Sequence, residues 1–90
     1  MVEKEIEIKG KNHFSARTVT EIVGEAGQFE AELEFIHAKQ EANLKSVVSL
    51  MALELVPGEI ALIKGEGEEA KKAVEKIMEL IRDSLSLEED

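Results

Sequence analysis

Polar and apolar side chains alternate along Gln28-Phe29-Glu30-Ala31-Glu32-Leu33-Glu34-Phe35. Successive side chains of a β-strand point to opposite faces, so this stretch predicts a strand with one buried and one exposed face. Strands of this kind are typical of an antiparallel sheet whose other face is covered by helices. The stretch therefore predicts an α+β fold, and the neighbouring segments extend it in both directions.

The segments that follow this strand predict a hairpin and then a short helix. The polar run His37–Glu41 predicts a hairpin turn, in which we expect His37 to be solvated, and Ala42–Leu44 predicts a returning strand. Ser46 stands where a side-chain oxygen caps a helix that runs to about residue 53. Ile60–Ile63 predicts a fourth strand, and the glycines at positions 65 and 67 predict a break before the last helix.

The ends of the chain predict one more strand and two more helices. Apolar residues alternate with charged ones over residues 2–8, and an apolar stripe at helical spacing follows Ser15 as far as Ala26. A second stripe, from Ala70 to Ile81, predicts the last helix. We expect one domain over residues 1–85 and a frayed acidic tail over residues 86–90.

Composition narrows the possible functions. The chain has 90 residues and no cysteine, so disulfides and thiolate metal sites are excluded. A net charge of −9 opposes direct nucleic-acid binding and favours a protein partner with a basic surface. No apolar run is long enough to span a membrane, and the N-terminus lacks a signal-peptide pattern, so we expect a soluble, cytoplasmic protein. Two isolated histidines do not suggest a metal site, and no cofactor is expected.

Two local motifs carry a resemblance that covers the whole chain. They are Asn12-His13-Phe14-Ser15-Ala16-Arg17-Thr18-Val19 and Asn43-Leu44-Lys45-Ser46-Val47-Val48-Ser49-Leu50-Met51. Both resemble, in frame, the two motifs of the HPr family of the bacterial sugar phosphotransferase system. The resemblance implies an open-faced sandwich, in which a four-stranded antiparallel sheet carries three helices on one face.

The first motif departs from the family at its central position. Phosphocarrier members have a histidine at the position of Ser15, where it accepts phosphate and passes it on. A phosphorylated imidazole transfers its phosphate readily, whereas a serine phosphoester is stable, so Ser15 would be a dead end in a relay. The usual proline is also replaced, by Thr18. The altered neighbours His13 and Thr18 argue for natural divergence, and the alternative is a phosphocarrier whose histidine was changed artificially to Ser15.

The second motif implies a regulatory role through the family resemblance. Crh-like members lack the relay histidine and keep a regulatory serine that matches Ser46. An HPr-type serine kinase/phosphorylase modifies that serine, and the product is a corepressor for a catabolite-control transcription regulator. We therefore expect a regulatory phosphoprotein of carbon catabolite repression, and not an enzyme. It would be a monomer or a strand-exchanged homodimer.

Several alternatives remain open. His13 is an alternative phosphoacceptor, which would keep a phosphocarrier function despite the altered site at Ser15. A third hypothesis is an interaction domain without any phosphorylation, in which Ser15 and Ser46 are ordinary helix caps. The partner-binding residues are expected to be Phe14, Arg17, Val47, Val48 and Met51, although the apolar ones among them also suit a core.

Overall fold

The computed structural model describes residues 1–86, and the expected acidic tail lies largely outside them. The elements in chain order are β1 (Val2–Glu7), α1 (Ala16–Ala26), β2 (Glu32–His37), β3 (Gln40–Asn43), α2 (Val47–Met51), β4 (Ile60–Glu66) and α3 (Ala70–Ser86). This order confirms the predicted succession of strands and helices. No helix within residues 1–86 is long and apolar enough to cross a membrane.

The four strands form one antiparallel sheet in the order β1-β4-β2-β3. β1 and β3 are the edge strands, and β4 joins β1 to β2. In this register Val2 lies opposite Gly65, and His37 lies opposite Ala61. One face of the sheet packs against the helices, so the inward side chains of all four strands contribute to the core.

The core lies between this face and the three helices. α3 packs against β1 and β4, α1 packs against α3, and α2 packs against α1 and β3. The largest buried apolar side chains of the sheet and the longer helices are Phe35, Leu33, Ile63, Ile22, Ile77 and Ile81. Each of them follows the predicted period of its element, and burial of such side chains is the main favourable term in folding.

β2 begins later than the alternation predicts. The prediction of strand at Phe29 and Ala31 was wrong, because the backbone there continues the turn that ends α1. The amide of Phe29 donates to the carbonyl of Ala26, and the amide of Ala31 donates to that of Phe29. Both side chains still pack against the core, which is why their apolar period extends beyond the strand.

The hairpin between β2 and β3 is tighter than predicted. Its turn consists of Ala38 and Lys39 alone, both with positive φ (50° and 67°). Such a two-residue turn matches the twist of the flanking strands. His37 consequently remains in β2 with its side chain pointing into the core, and the prediction that it is solvated was wrong.

The His37 ring is buried and holds two segments together. Its Nε2 accepts a hydrogen bond from the amide of Val56 (2.9 Å), so that nitrogen carries no proton. Its Nδ1 therefore carries the proton and donates to the carbonyl of Ile60 (3.1 Å). The ring thus connects β2 to the loop before β4.

β4 runs past the glycine that was expected to end it. Gly65 is buried within the strand, and a Cβ atom there would lie 2.6 Å from Cγ2 of Val74 in α3. This glycine therefore allows a close approach between sheet and helix. The chain turns at Gly67, whose φ of +124° is rarely adopted by other residues.

Candidate functional site

Ser15 caps α1, as predicted. Its Oγ accepts a hydrogen bond from the amide of Thr18 (3.1 Å), which is one of the amides that the first turn of a helix leaves free. Its hydroxyl also donates to Oγ1 of Thr18 (3.1 Å). Both interactions direct the Ser15 hydroxyl toward its own helix.

A chain of hydroxyl groups continues from Ser15 into the interior. Oγ1 of Thr18 shares a 3.0 Å hydrogen bond with Oγ of Ser84 in α3, and both of these residues are buried. The beginning of α1 is thereby bonded to the last part of α3. In the sequence, Thr18 stands out only because it replaces the proline that is usual in the family, and this bond cannot be seen there. Its position four residues before the buried Ile22, on the same helix face, is the one signal that indicated burial.

Ser46 caps α2, again as predicted. Its Oγ accepts from the amide of Ser49 (3.2 Å), and its own amide donates to the carbonyl of Asn43 (3.0 Å). Oδ1 of Asn43 accepts from the amide of Lys45 (2.8 Å). The first residue of the Asn43-x-Lys45-Ser46 motif therefore fixes the turn that places Ser46 at the helix start.

Lys45 connects this motif to the turn after α1. Its Nζ donates to the carbonyl of Phe29 (2.9 Å), across a distance of sixteen residues in the chain. This hydrogen bond joins the turn before α2 to the turn that follows α1.

The first turn of α2 exposes an apolar surface, which we call the α2 patch: Val47, Val48 and Met51. Their side chains are 48%, 78% and 50% exposed, whereas Leu50 of the same helix is fully buried. Val47, Val48 and Met51 therefore lie at the surface, as their expected role in partner binding requires. Exposed apolar side chains that cluster in this way mark interaction surfaces.

Phe14 does not belong to this surface, and its prediction as a partner-binding residue was wrong. It is 2% exposed, and its ring contacts the ring of Phe35 edge to face, with centroids 5.6 Å apart. An aromatic pair of this geometry adds to the stability of the core. A loop residue has no period from which burial can be predicted, which explains the error.

Arg17 and His13 both reach solvent near the capped end of α1. The Arg17 side chain is 84% exposed, and its Nε lies 3.8 Å from Oε2 of Glu21. Because both side chains are exposed to water, this ion pair stabilises the protein only weakly. His13 is exposed in the bend that precedes Ser15. Because α1 packs against α2, the helices that Ser15 and Ser46 cap are neighbours in the structure.

Comparison with known proteins agrees with this geometry. The family described as "PTS HPr component phosphorylation site" matches residues 2–83. The chain belongs to the HPr family. The phosphocarriers of this family are not enzymes, which agrees with the expectation that this chain is not an enzyme.

Relatives of two kinds are found within the HPr family. The phosphocarrier protein HPr of Vibrio cholerae is 36% identical over 81 residues, covering 90% of this chain and 95% of that protein. The HPr-like protein Crh of Halalkalibacterium halodurans is 32% identical over 81 residues, covering 90% of this chain and 96% of its own. Both phosphocarriers and Crh proteins are therefore similar to this HPr-family chain.

Solved HPr-family structures confirm the open-faced sandwich. HPr-C-His from Thermoanaerobacter tengcongensis superposes with a TM-score of 0.83 at 27% identity, covering 99% of this chain and 100% of that one. Crh of Bacillus subtilis gives a TM-score of 0.74 at 25% identity, covering 97% and 100%. That Crh structure is a dimer with a swapped domain, so dimers occur among the similar structures.

Proposed function

We propose that this HPr-family protein is a regulatory phosphoprotein that is phosphorylated on Ser46 and does not relay phosphate. In the modified form it acts as a protein-binding adaptor, a corepressor in carbon catabolite regulation. The observation that carries the proposal is the serine at position 15, whose hydroxyl is bonded to Thr18 as a helix cap.

The chemistry of Ser15 supports the loss of relay function. A relay needs a phosphorylated group that gives up its phosphate as easily as it accepts it, and a serine phosphoester is too stable for this. Phosphorylation would also remove the proton that Ser15 donates to Thr18 and place a bulky dianion beside the buried Thr18 hydroxyl. The functional role therefore passes to Ser46.

Ser46 lies where a phosphate would change the recognition of partners. A phosphoserine carries about two negative charges and three acceptor oxygens. Val47 follows Ser46 directly, so the dianion would border the α2 patch. The surface would change from apolar to apolar and anionic, which favours a partner that presents arginine or lysine next to apolar side chains.

The partners follow from the family. An HPr-type serine kinase/phosphorylase would modify Ser46, and a catabolite-control transcription regulator would bind the product, with Arg17 and the α2 patch as contact residues. This protein itself would make no direct contact with nucleic acid or with a membrane, and it would meet both partners in the cytoplasm. The protein would be a monomer or a homodimer that exchanges β1, since β1 is an edge strand.

The kinase reaction tests the proposal directly. The protein is incubated with an HPr-type serine kinase and ATP, and the modified peptide is identified by mass spectrometry. We expect phosphate on Ser46 and none in the Ser46→Ala variant. Ser49→Ala is the matched control, because it removes a hydroxyl from the same short helix. Absence of phosphate at Ser46, or equal loss in both variants, would contradict the proposal.

Phosphate relay through His13 is the second candidate. It is favoured by the exposure of His13 beside α1 and by the similarity to phosphocarriers such as the Vibrio cholerae protein. The test is incubation with phosphoenolpyruvate and the first enzyme of the phosphotransferase system. Acid-labile phosphate that disappears in His13→Ala would replace the regulatory proposal. The buried His37 is an internal control that remains in this variant.

A further inference from the structure

The face of the sheet that the helices leave uncovered is strongly acidic; we call it the open face. On β1 the outward residues are three exposed glutamates, at positions 3, 5 and 7. β2 adds Glu32 and Glu34, β3 adds Glu41, and β4 adds Glu66. Against these seven carboxylates the four strands set one outward ammonium, that of Lys64.

Apolar side chains occupy the middle of the open face. In the register of the sheet, Leu62 lies between Glu5 on β1 and Ile36 on β2, and Ile36 lies opposite Glu41 on β3. Leu62 and Ile36 are half-buried, and Ile60, two residues before Leu62 on the same face of β4, is 53% exposed. An apolar centre within a charged border is the arrangement of a protein–protein interface.

The distribution of charge on this face does not serve the stability of the sheet. Glu32 and Glu66 lie directly opposite each other on neighbouring strands, and like charges in such a pair are destabilising. Lys64 lies between Glu3 and Glu34 and offsets only part of the repulsion. A binding partner that brings positive charge would relieve it.

The open face also has a depression near one end. Its volume is about 350 Å³, and its charged lining residues are Glu32, Glu34, Glu66, Lys45 and Lys64. The three carboxylates outnumber the two ammonium groups, so the depression suits the long side chain of an arginine or lysine, whose apolar stem needs contact and whose charged head needs an anion.

From these observations we propose that the open face is a second docking surface, which binds a basic segment of a protein partner that alternates lysine or arginine with aliphatic residues. Charge complementarity selects this occupant. A second copy of the chain would oppose two acidic faces, and nucleic acids or anionic lipids would be repelled. Most of the face lies on the side of the sheet away from α1 and α2, and only the depression, which Asn43 and Lys45 help to line, comes close to the Ser46 motif.

The test uses a short synthetic peptide of alternating lysine and leucine as the probe, with a glutamate–leucine peptide as the control. Amide shifts of the ¹⁵N-labelled protein report where each peptide binds. We expect only the lysine peptide to shift the amide signals of residues in β1, β4 and β2. Its affinity should fall as the salt concentration rises, because the distance over which charges attract each other shortens to about 10 Å at 0.1 M salt. Shifts confined to the helices, or no binding at low salt, would overturn the proposal.

Matched variants separate the open face from the net charge of the protein. Glu5→Gln with Glu41→Gln should weaken peptide binding about three- to tenfold, which corresponds to about 0.7–1.4 kcal/mol for the loss of two exposed attractions. Glu75→Gln with Glu79→Gln changes the net charge equally on exposed positions of α3 and should change affinity less than about twofold. Equal losses in the two pairs would overturn the proposal, as would self-association of the unmodified protein in sedimentation at low salt.

Discussion

Replacing Gly65 by alanine tests the closest contact between the sheet and α3. The added Cβ would lie 2.6 Å from Cγ2 of Val74, 3.1 Å from Cδ2 of Leu33 and 3.3 Å from Cβ of Ala70. Carbon atoms pack best at about 3.5–4.0 Å. Val74 is fully buried and β-branched, so in a helix it has essentially one side-chain rotamer and cannot turn away. β4 and α3 must therefore move apart.

Overpacking of this kind costs about 1–3 kcal/mol of unfolding free energy. For a domain of this size, each kcal/mol lowers Tm by about 4–8 °C, which thermal unfolding followed by circular dichroism resolves easily. Gly24→Ala is the matched control, since Gly24 is exposed within α1 and its Cβ would meet nothing within 4 Å. That variant should be about 0.5–1 kcal/mol more stable than the unmodified protein.

A double variant checks the cause of the loss. In Gly65→Ala with Val74→Ala the clashing methyl group is absent, so the two substitutions should cost less together than the sum of their separate effects. If Gly65→Ala unfolds at the same temperature as the unmodified protein, the close approach does not restrict the side chain at position 65. If the double variant is simply additive, Val74 is not the atom group responsible.

Substitutions at three further positions have defined outcomes. Thr18→Val should lower the unfolding free energy by about 1–3 kcal/mol in urea titrations, because Ser84 is left buried without its partner; an unchanged midpoint would exclude a role for the hydroxyl chain. His37→Phe should cost a similar amount, since the amide of Val56 loses its acceptor, and full native stability would contradict the assigned bond. Ser46→Ala should cost about 1 kcal/mol, and Ser46→Asp should recover most of it as a cap; equal losses would contradict capping.

Much of the fold follows from periodicity. The stripe of α3 and the alternation in β2 each mark one buried face, and burial of that face determines how the element must sit. The caps Ser15 and Ser46 were also predicted, because a hydroxyl before an apolar period has a direct use for the free amides of a helix.

Features that depend on contacts between distant segments could not be predicted in this way. Phe14 is buried because Phe35 lies beside it, and nothing near Phe14 in the sequence indicates that neighbour. The side chain of His37 was misplaced because the sequence does not show where β2 ends: once the strand includes His37, the alternation that buries Leu33 and Phe35 buries His37 as well. The bond between Thr18 and Ser84 joins residues 66 positions apart. The sequence therefore predicted the capping residues of the site and did not predict its buried contacts, which are those of Phe14 and Thr18.

The pairing of the two terminal regions has a consequence for biosynthesis. β1 leaves the ribosome before its partner β4, which is made only after β2, β3 and the first two helices have been synthesised. Until β4 has been made, Ile6 and Ile8 lack the contacts that bury them in the folded protein. The β2–β3 hairpin can form earlier, because its two strands are neighbours in the chain. Long-range pairing of this kind slows folding. β1 carries three glutamates and a lysine, so it stays charged while it is unpaired. These charges discourage pairing with the strands of other nascent chains.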